Sequence, residues 1–303
     1  MRFSWGVCFM LRAAIYGYGN IGRFVFEALL ASPDFEIAGI VSRHLSEKEL
    51  NGVKVAKSID ELENIDVAII CAPSRSVPEL AASLLKKGIC TVDSFDIHGS
   101  VCEVRSRLNT VAKESGTSAI MAAGWDPGSD SVIRTLMEAM APKGITYTNF
   151  GPGMSMGHTV AVKAIKGVKN ALSMTIPVGT GIHRRMVYIE LEEGFELSEV
   201  AAAIKADEYF CHDETHVFAV ESVDALKDMG HGVELSRKGV SGTTDSQRMC
   251  FTMQINNPAL TAQILVAAAR AVKRQAPGCY TLIEIPPVDL LSDSRENAVK
   301  RLV

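Results

Sequence analysis

Hydrophobic and polar positions follow two rhythms along this chain, and the change comes near Gly144. Before it, short apolar runs alternate with stretches whose apolar residues recur at helical spacing. Arg12–Tyr16, Ile37–Val41, Val67–Ala72, Ile89–Asp93 and Ala119–Ala122 read as strands. Val67–Ala72 is apolar throughout, as suits a strand covered on both faces. Helices are predicted through Phe24 and Leu29 up to Ser32-Pro33, from Val77 to Lys87, along the face Val101, Val104, Leu108 and Val111, and from Ser129 to Met140. Strands alternating with helices imply a parallel sheet. Beyond Gly144, Arg185–Leu191, Thr215–Glu221 and Arg248–Ile255 alternate or are β-rich, which predicts a mixed or antiparallel sheet with an open face. Leu197, Val200, Ala201 and Ile204 mark a helix between two of these strands. Asn257-Pro258 starts a last long helix, with proline in the tolerated first position and Leu260, Ile264, Leu265, Ala268 and Val272 on its buried side.

Composition narrows the class. The 303 residues are 47% apolar and 22% charged, the balance of a globular protein and not of a disordered one. Lys and Arg total 31 against 35 Asp and Glu, a net charge of −4, so no general attraction for nucleic acid or an anionic membrane is expected. No apolar run approaches the ~18–20 residues of a membrane span. The seven cysteines are scattered and none has CxxC spacing, which predicts reduced thiols of a cytoplasmic protein and no zinc site. Cys71, Cys90 and Cys250 lie in apolar runs and are expected in the core. Residues 1–11 lack the signature of a secretory signal and read as an extension, with Met10 a candidate start.

Chemistry enters at Gly17-Tyr18-Gly19-Asn20-Ile21-Gly22, a GxGxxG that follows the first strand and opens the first helix. Such a βαβ unit of about 30 residues binds dinucleotides. Its first glycine makes the turn, the second lets backbone approach a pyrophosphate, the third lets helix and strand pack, and the helix amides face the phosphates. The second strand then decides between cofactors. An NAD site usually ends it with Asp or Glu, which accepts from a ribose hydroxyl. Here stand Ser42-Arg43-His44, and a guanidinium suits a 2′-phosphate, so the residues favour NADP(H); the alternative is that Arg43 is merely a solvated arginine. The fold class expected is an α/β Rossmann dinucleotide-binding domain plus an α+β substrate-binding domain with a mixed sheet. The boundaries are 12–124 for the first and 125–280 for the second, with 281–303 free to return to the first.

Substrate groups should lie where strands end. Asp96 and Asp126 each follow a strand, and two carboxylates at one cleft suit an ammonium group or a base acting on it; acids in turns are also common local caps. Gly151-Pro152-Gly153-Met154-Ser155-Met156-Gly157-His158 is a Gly-rich loop without the Lys-Ser/Thr of a P-loop. His183-Arg184-Arg185 begins a strand and Gly230-His231-Gly232 reads as a tight turn, offering a bidentate partner for a carboxylate and an imidazole donor. The histidines lack HExxH spacing, so no metal is predicted.

Together these segments resemble the meso-diaminopimelate D-dehydrogenase family from about Arg12 to Val303. The resemblance rests on Gly17–Gly22, Val92-Asp-Ser-Phe-Asp96, Ala123-Gly-Trp-Asp-Pro-Gly128, Gly151–His158 and Ile255-Asn-Asn-Pro258. The Gly151–His158 motif is similar to the broader-specificity branch, which has Met where the narrower branch has Gln. The resemblance implies a cytoplasmic homodimer that uses NADP(H) and serves lysine and peptidoglycan precursor synthesis. It places Gly17, Tyr18, Gly19, Asn20 and Ile21 at the pyrophosphate and Ser42 and Arg43 at the 2′-phosphate. Cys71, Ala72, Pro73, Ser74, Arg75, Ser94, Phe95 and Asp96 would flank the nicotinamide half. His44 stands where a second basic residue is frequent, which weakens that contact. Asp96, Trp125 and Asp126 would surround the reacting D-centre, and Phe150, Met156, Gly157, Thr175, Arg185, His231 and Asn257 would form the substrate shell.

The implied reaction is oxidative deamination. A hydride passes from the D-configured Cα to nicotinamide C4, and the imine hydrolyses to a 2-oxo acid and ammonia; run backwards, L-2-amino-6-oxopimelate is aminated. Asp126 is assigned the proton and Asp96 the amine, with the two roles exchangeable. Two other readings remain: a broad D-amino acid dehydrogenase that aminates 2-oxo acids, and a non-catalytic NADP sensor. The sensor would have no use for Trp125, Asp126, Arg185 and His231 together.

Overall fold

Each strand expected before Gly144 is present in the computed structural model, which describes residues 10–226 and 230–303. In chain order the first elements are β1 (Leu11–Tyr16), α1 (Asn20–Leu30), β2 (Phe35–Val41), β3 (Glu49–Leu50), β4 (Val53–Ala56), β5 (Val67–Ile70), α2 (Val77–Lys86), β6 (Cys90–Asp93), α3 (Val101–Glu114), β7 (Ser118–Ile120) and α4 (Ser129–Met140). Then come β8 (Lys143–Phe150), β9 (Gly153–Met154), α5 (Met156–Lys163), β10 (Val168–Gly179), β11 (Ile182–Leu191), α6 (Leu197–Ala206), β12 (Glu214–Ala219), β13 (Gly230–Ser241) and β14 (Thr244–Asn256). The chain closes with α7 (Asn257–Val272), β15 (Gly278–Tyr280) and α8 (Arg295–Leu302). Most of the expected extension lies outside the described residues; Leu11, its last position, already pairs with Phe35. Among the described residues no helix is long and apolar enough to cross a membrane.

Two compact units divide the chain: residues up to Val132 together with Pro258–Val303, and Ile133–Asn257. The first is an eight-stranded sheet in the order β15-β7-β6-β5-β1-β2-β4-β3. Its strand pairs are parallel apart from the short β3–β4 hairpin. Successive strand residues feed opposite cores, because side chains alternate across a sheet. Ala13, Ile15, Val67 and Ile69 pack with α1 and α7 on one face. Ala14, Ala68 and Ile70 pack with α2 and α3 on the other.

As a compact unit the second part runs from Ile133 to Asn257, against the expected 125–280. The last long helix and the strand after it belong to the first unit from Pro258 on, since α7 is apolar on nearly all sides and buries Ala262, Leu265, Val266 and Ala269 against the sheet. Arg270 adds a clamp, donating through Nη2 to Asp34 Oδ1 at 2.9 Å and stacking over the Phe35 ring at 5.1 Å.

The second unit holds two sheets, a four-stranded one (β12-β11-β10-β9) that is antiparallel except for β11–β12, and an antiparallel β14-β13-β8. Val162, Val168, Ala171, Val187, Ile189, Val200 and Ile204 form the core between α5, α6 and the larger sheet. Two expectations fail here. His231 lies within β13, opposite Ile255 of β14, and not in a turn: the flanking glycines let strands crowd, since a Cβ at Gly232 would meet Met253 O at 2.9 Å. Cys250 is exposed, because β14 alternates and its even positions face outward.

Close packing fixes the Gly-rich turn. A Cβ at Gly22 would lie 2.2 Å from Gly17 O, and one at Gly17 would lie 2.7 Å from Cys71 O. Gly22→Ala should therefore destabilise the protein by about 3 kcal/mol, read by chemical denaturation, because backbone and not a flexible side chain must move. Asp93, which ends β6, is the second constraint. It is fully buried, and burial pushes its carboxyl up to about 6 against two backbone N–H bonds that pull it down. The folded state thus holds the proton more tightly than the unfolded chain, and stability falls as pH rises from the ordinary carboxyl range through about 6. Asp93→Asn cannot titrate. Its unfolding free energy relative to the parent should rise by on the order of 2 kcal/mol between pH 4.5 and 7.5, measured by denaturant titration at both.

Candidate active site

The GxGxxG loop leaves β1 at Tyr16 and caps α1. Gly17 has φ +101°, and its N–H donates to Val41 O at 2.9 Å. Gly19 is the N-cap of α1; no side chain caps that end and no acid stands in the first turn. A Cβ on Gly19 would meet no protein atom within 4 Å. An uncapped helix start with an open approach to its amides fits a pyrophosphate, so the residues present suit a dinucleotide. Tyr18 leans edge-on against Phe26 at 6.0 Å, while Asn20 is exposed and Ile21 half-buried.

At the end of β2, Ser42 is buried and accepts the Leu45 N–H at 3.3 Å, while Arg43 is exposed. Lys57 comes just after β4, whose Ala56 pairs with Val41. Its ammonium donates to the carbonyls of Ser42 and Arg43, each at 3.4 Å, and to that of Leu45. It thereby holds the turn that carries Arg43 and adds a positive charge there, and the sequence reading missed it. Past β5, the Cys71 thiol is pushed up to about 12 by burial, so it stays protonated. Ala72, Pro73, Ser74 and Arg75 form the turn that follows.

Ser74 links this turn to the next strand end: its Oγ donates to Asp96 Oδ1 at 2.6 Å. Asp96 is exposed, Ser94 half-buried and Phe95 buried. Asp93 Oδ1 accepts the Phe95 N–H at 2.9 Å and the Ala122 N–H at 3.2 Å. The Gly124–Gly128 segment folds on itself: Gly124 N–H donates to Pro127 O at 3.1 Å, and Asp130 N–H to Trp125 O at 3.2 Å. Gly128 has φ +150°, and a Cβ there would lie 1.9 Å from Gly124 O, so the loop tolerates only glycine. Trp125 is buried and Asp126 half-buried within it.

The second unit gathers its own set around Arg185. Thr175 and Arg185 stand opposite each other on β10 and β11. Arg185 Nε donates to Asp213 Oδ2 at 2.6 Å and Nη1 to the buried Thr175 Oγ1. The guanidinium is thus fixed, and its Nη2 is not committed by those two bonds. Burial first, then the charge of Arg185, pushes His231 down to about 4, and the same two causes push His158 down to about 4. His183 is lowered by burial and by Arg185 as well. These imidazoles are therefore neutral donors or acceptors near pH 7. His183 Nε2 accepts the Phe150 N–H at 2.8 Å, and His158 Nδ1 lies 2.8 Å from Ser155 Oγ.

Met156 and Gly157 open α5, and Asn257 opens α7. Thr175, Arg185 and His231 are drawn together, and Phe150 is tied to His183, whose basicity Arg185 also lowers. Asp213 had no signal in the sequence, since it follows a turn and carries no motif. Among the described residues no group of three or more His, Cys, Asp or Glu could hold a metal ion.

Comparison with known proteins finds two family models, one in each part of the chain. The oxidoreductase family, NAD-binding Rossmann fold, matches residues 11–92, and the diaminopimelic acid dehydrogenase C-terminal domain matches residues 124–183. The meso-diaminopimelate D-dehydrogenase of Bacteroides fragilis is 64% identical over 296 residues, covering 97% of this chain and 99% of its own length. Among solved structures, C. glutamicum DAP dehydrogenase in complex with DAP superposes with a TM-score of 0.88 at 26% identity, covering 97% of this chain and 100% of that one. An engineered D-amino acid dehydrogenase bound to NADP+ gives 0.82 at 26% identity, covering 97% and 99%. With this full-length identity and both family matches, the chain belongs to the meso-diaminopimelate D-dehydrogenases and is an oxidoreductase.

Proposed function

We propose that the protein catalyses NADP-dependent oxidative deamination of meso-2,6-diaminopimelate at its D-centre, and the reverse reductive amination, as a cytoplasmic homodimer. The observation that carries this reading is the 64% identity, across 97% of the chain, to a relative of that activity. Bound NADP supplies the hydride acceptor; the protein must orient the substrate and manage one proton. A carbon gives up hydride readily only when its amine is uncharged, so the ammonium must first lose a proton. Asp126 is assigned that base, because its loop is closed by internal hydrogen bonds that fix its place. Asp96, which accepts from Ser74, is assigned to bind the amine, and the two roles are exchangeable. Buried Trp125 gives the reacting carbon an apolar neighbour that excludes water. Arg185, with Thr175, is assigned a substrate carboxylate, and neutral His231 adds a donor without a second charge. Phe150, Met156, Gly157 and Asn257 complete the shell, which takes up the distal L-amino acid end.

The cofactor reading extends to the turn after β2, where Arg43 and Lys57 offer two cations to a 2′-phosphate. Likeness to the NADP+-bound D-amino acid dehydrogenase also supports the second reading, a wider range of D-amino acids. One assay separates the two: NADPH formation with meso-, LL- and DD-diaminopimelate and with D-alanine, repeated with NAD. Turnover of the meso isomer with NADP is expected, and none of the LL isomer. Turnover of D-alanine at a comparable kcat/KM would favour the wider range, and silence on every substrate would overturn the reading.

Two substitutions test the assigned roles. Asp126→Asn should lower kcat by about 100-fold or more while leaving the melting temperature within a few degrees. Near-normal turnover would remove Asp126 from the chemistry. Arg43→Ala should weaken NADPH binding by about 10- to 100-fold, the worth of a charge-assisted pair, and leave NADH binding nearly unchanged in fluorescence titration. Equal losses for both cofactors would show that Arg43 does not read the 2′-phosphate.

A further inference from the structure

The ladder between β6 and β7 ends at Val92 and Ile120, and beyond it the two chains separate into the turn that carries Asp96 and the loop that carries Trp125 and Asp126. Past that point Asp93 bonds to both of them. Asp93 O accepts the Ala123 N–H at 2.8 Å, and Asp93 Oδ1 accepts both the Ala122 N–H at 3.2 Å and the Phe95 N–H at 2.9 Å. Ala122 has φ +52°, a left-handed conformation that a non-glycine residue holds only when its surroundings impose it.

We propose that Asp93 is a positioning residue of the reaction, its single carboxylate oxygen setting the separation of the Asp96 turn from the Trp125–Asp126 loop. The inference rests on the assignment of Asp96 and Asp126 to the reacting centre. Neither loop reaches Asp93 through a chain of other side chains: both hang from the same atom by their own backbone amides. A shift of about 1 Å in either would misalign the acids, and misplacement of that size can cost about 100-fold in rate.

The second oxygen, Oδ2, is buried and has no hydrogen-bond partner among the described residues, so Oδ1 carries the side chain's whole share of the attachment, beside the backbone bond from Ala123 to Asp93 O. The titratable group facing it is the Cys279 thiol of β15, which burial pushes up to about 12 and keeps neutral, with the Arg105–Glu284 ion pair near that thiol. Among the described residues no cation pairs with the Asp93 carboxylate.

Asp93→Asn and Asp93→Ala separate positioning from mere structural support. The carboxamide oxygen of Asn can accept both amides, whereas Ala accepts neither. Turnover of meso-diaminopimelate is measured per folded site, with sites counted by NADPH titration and folding by circular dichroism. Asp93→Ala should lose about 100-fold in kcat with KM changed less than about threefold, and Asp93→Asn should stay within about threefold of the parent in both. If Asp93→Ala does not fold, Asp93→Ser serves: its hydroxyl is one atom too short to reach both loops.

Hydrogen exchange supplies the direct readout. The Phe95 and Ala122 amides should be protected in the parent and in Asp93→Asn and exchange faster in the Ala or Ser variant. Unchanged kcat per folded site in the Ala or Ser variant would overturn the proposal, as would Asp93→Asn falling as far as Asp93→Ala. Failure of the underlying assignment looks different: the parent would then be inactive, or Asp126→Asn would be fully active.

Discussion

Parallel strands bring all their carboxyl ends to one edge of a sheet, and the first unit uses five such ends. β1 runs into Gly17, β2 into Ser42 and Arg43, β5 into Cys71–Arg75, β6 into Ser94–Asp96, and β7 into the Gly124–Gly128 loop. Residues more than 100 positions apart in the chain thus share an edge without any long-range contact having to be made for that purpose. The direction of the strands alone ensures it, and the covering helices keep that direction the same each time. The detail left to side chains is the spacing along the edge. Close-packed glycines fix it at β1, a lysine does so between β4 and β2, and a buried carboxylate does so between β6 and β7.

The second unit works by electrostatics more than by topology. One guanidinium, held by Asp213 and Thr175, lies close enough to three imidazoles to lower their basicity. Four cations in so small a space would repel, and desolvation makes the loss of protons from the histidines the cheaper outcome. A site with one fixed charge and several neutral polar groups can place a carboxylate by orientation, because only one direction attracts it strongly. The partner Asp213 offsets part of that charge even before any ligand arrives.

The Rossmann half was legible because its signals are local. Gly17, Gly19 and Gly22 sit between a strand and a helix, and Asp96 and Asp126 fall just after apolar runs, so sequence order and spatial order coincide. Lys57 and Asp213 were not legible: each acts on a neighbour brought in by strand pairing, and neither spacing nor composition marks it. His231 was misplaced because Gly-His-Gly looks like a turn, yet here the glycines relieve crowding between strands. Cys250 was misplaced because an apolar run was read as buried although its strand alternates in exposure. Helix α7 was assigned to the wrong unit because periodicity shows that a helix is buried without showing against which sheet.

The placement of α7 and β15 has a consequence for how the chain is made. Residues up to Val132 leave the ribosome first, but the helix that covers one face of their sheet, and the strand that closes its edge, follow only after the whole of Ile133–Asn257. Until then Ala13, Ile15, Val67 and Ile69 lack their α7 neighbours, and β7 has a free side. The intervening unit, whose residues are contiguous, is complete before the first one is. In the nascent protein the discontinuous unit can therefore complete its core only after the contiguous one has been made.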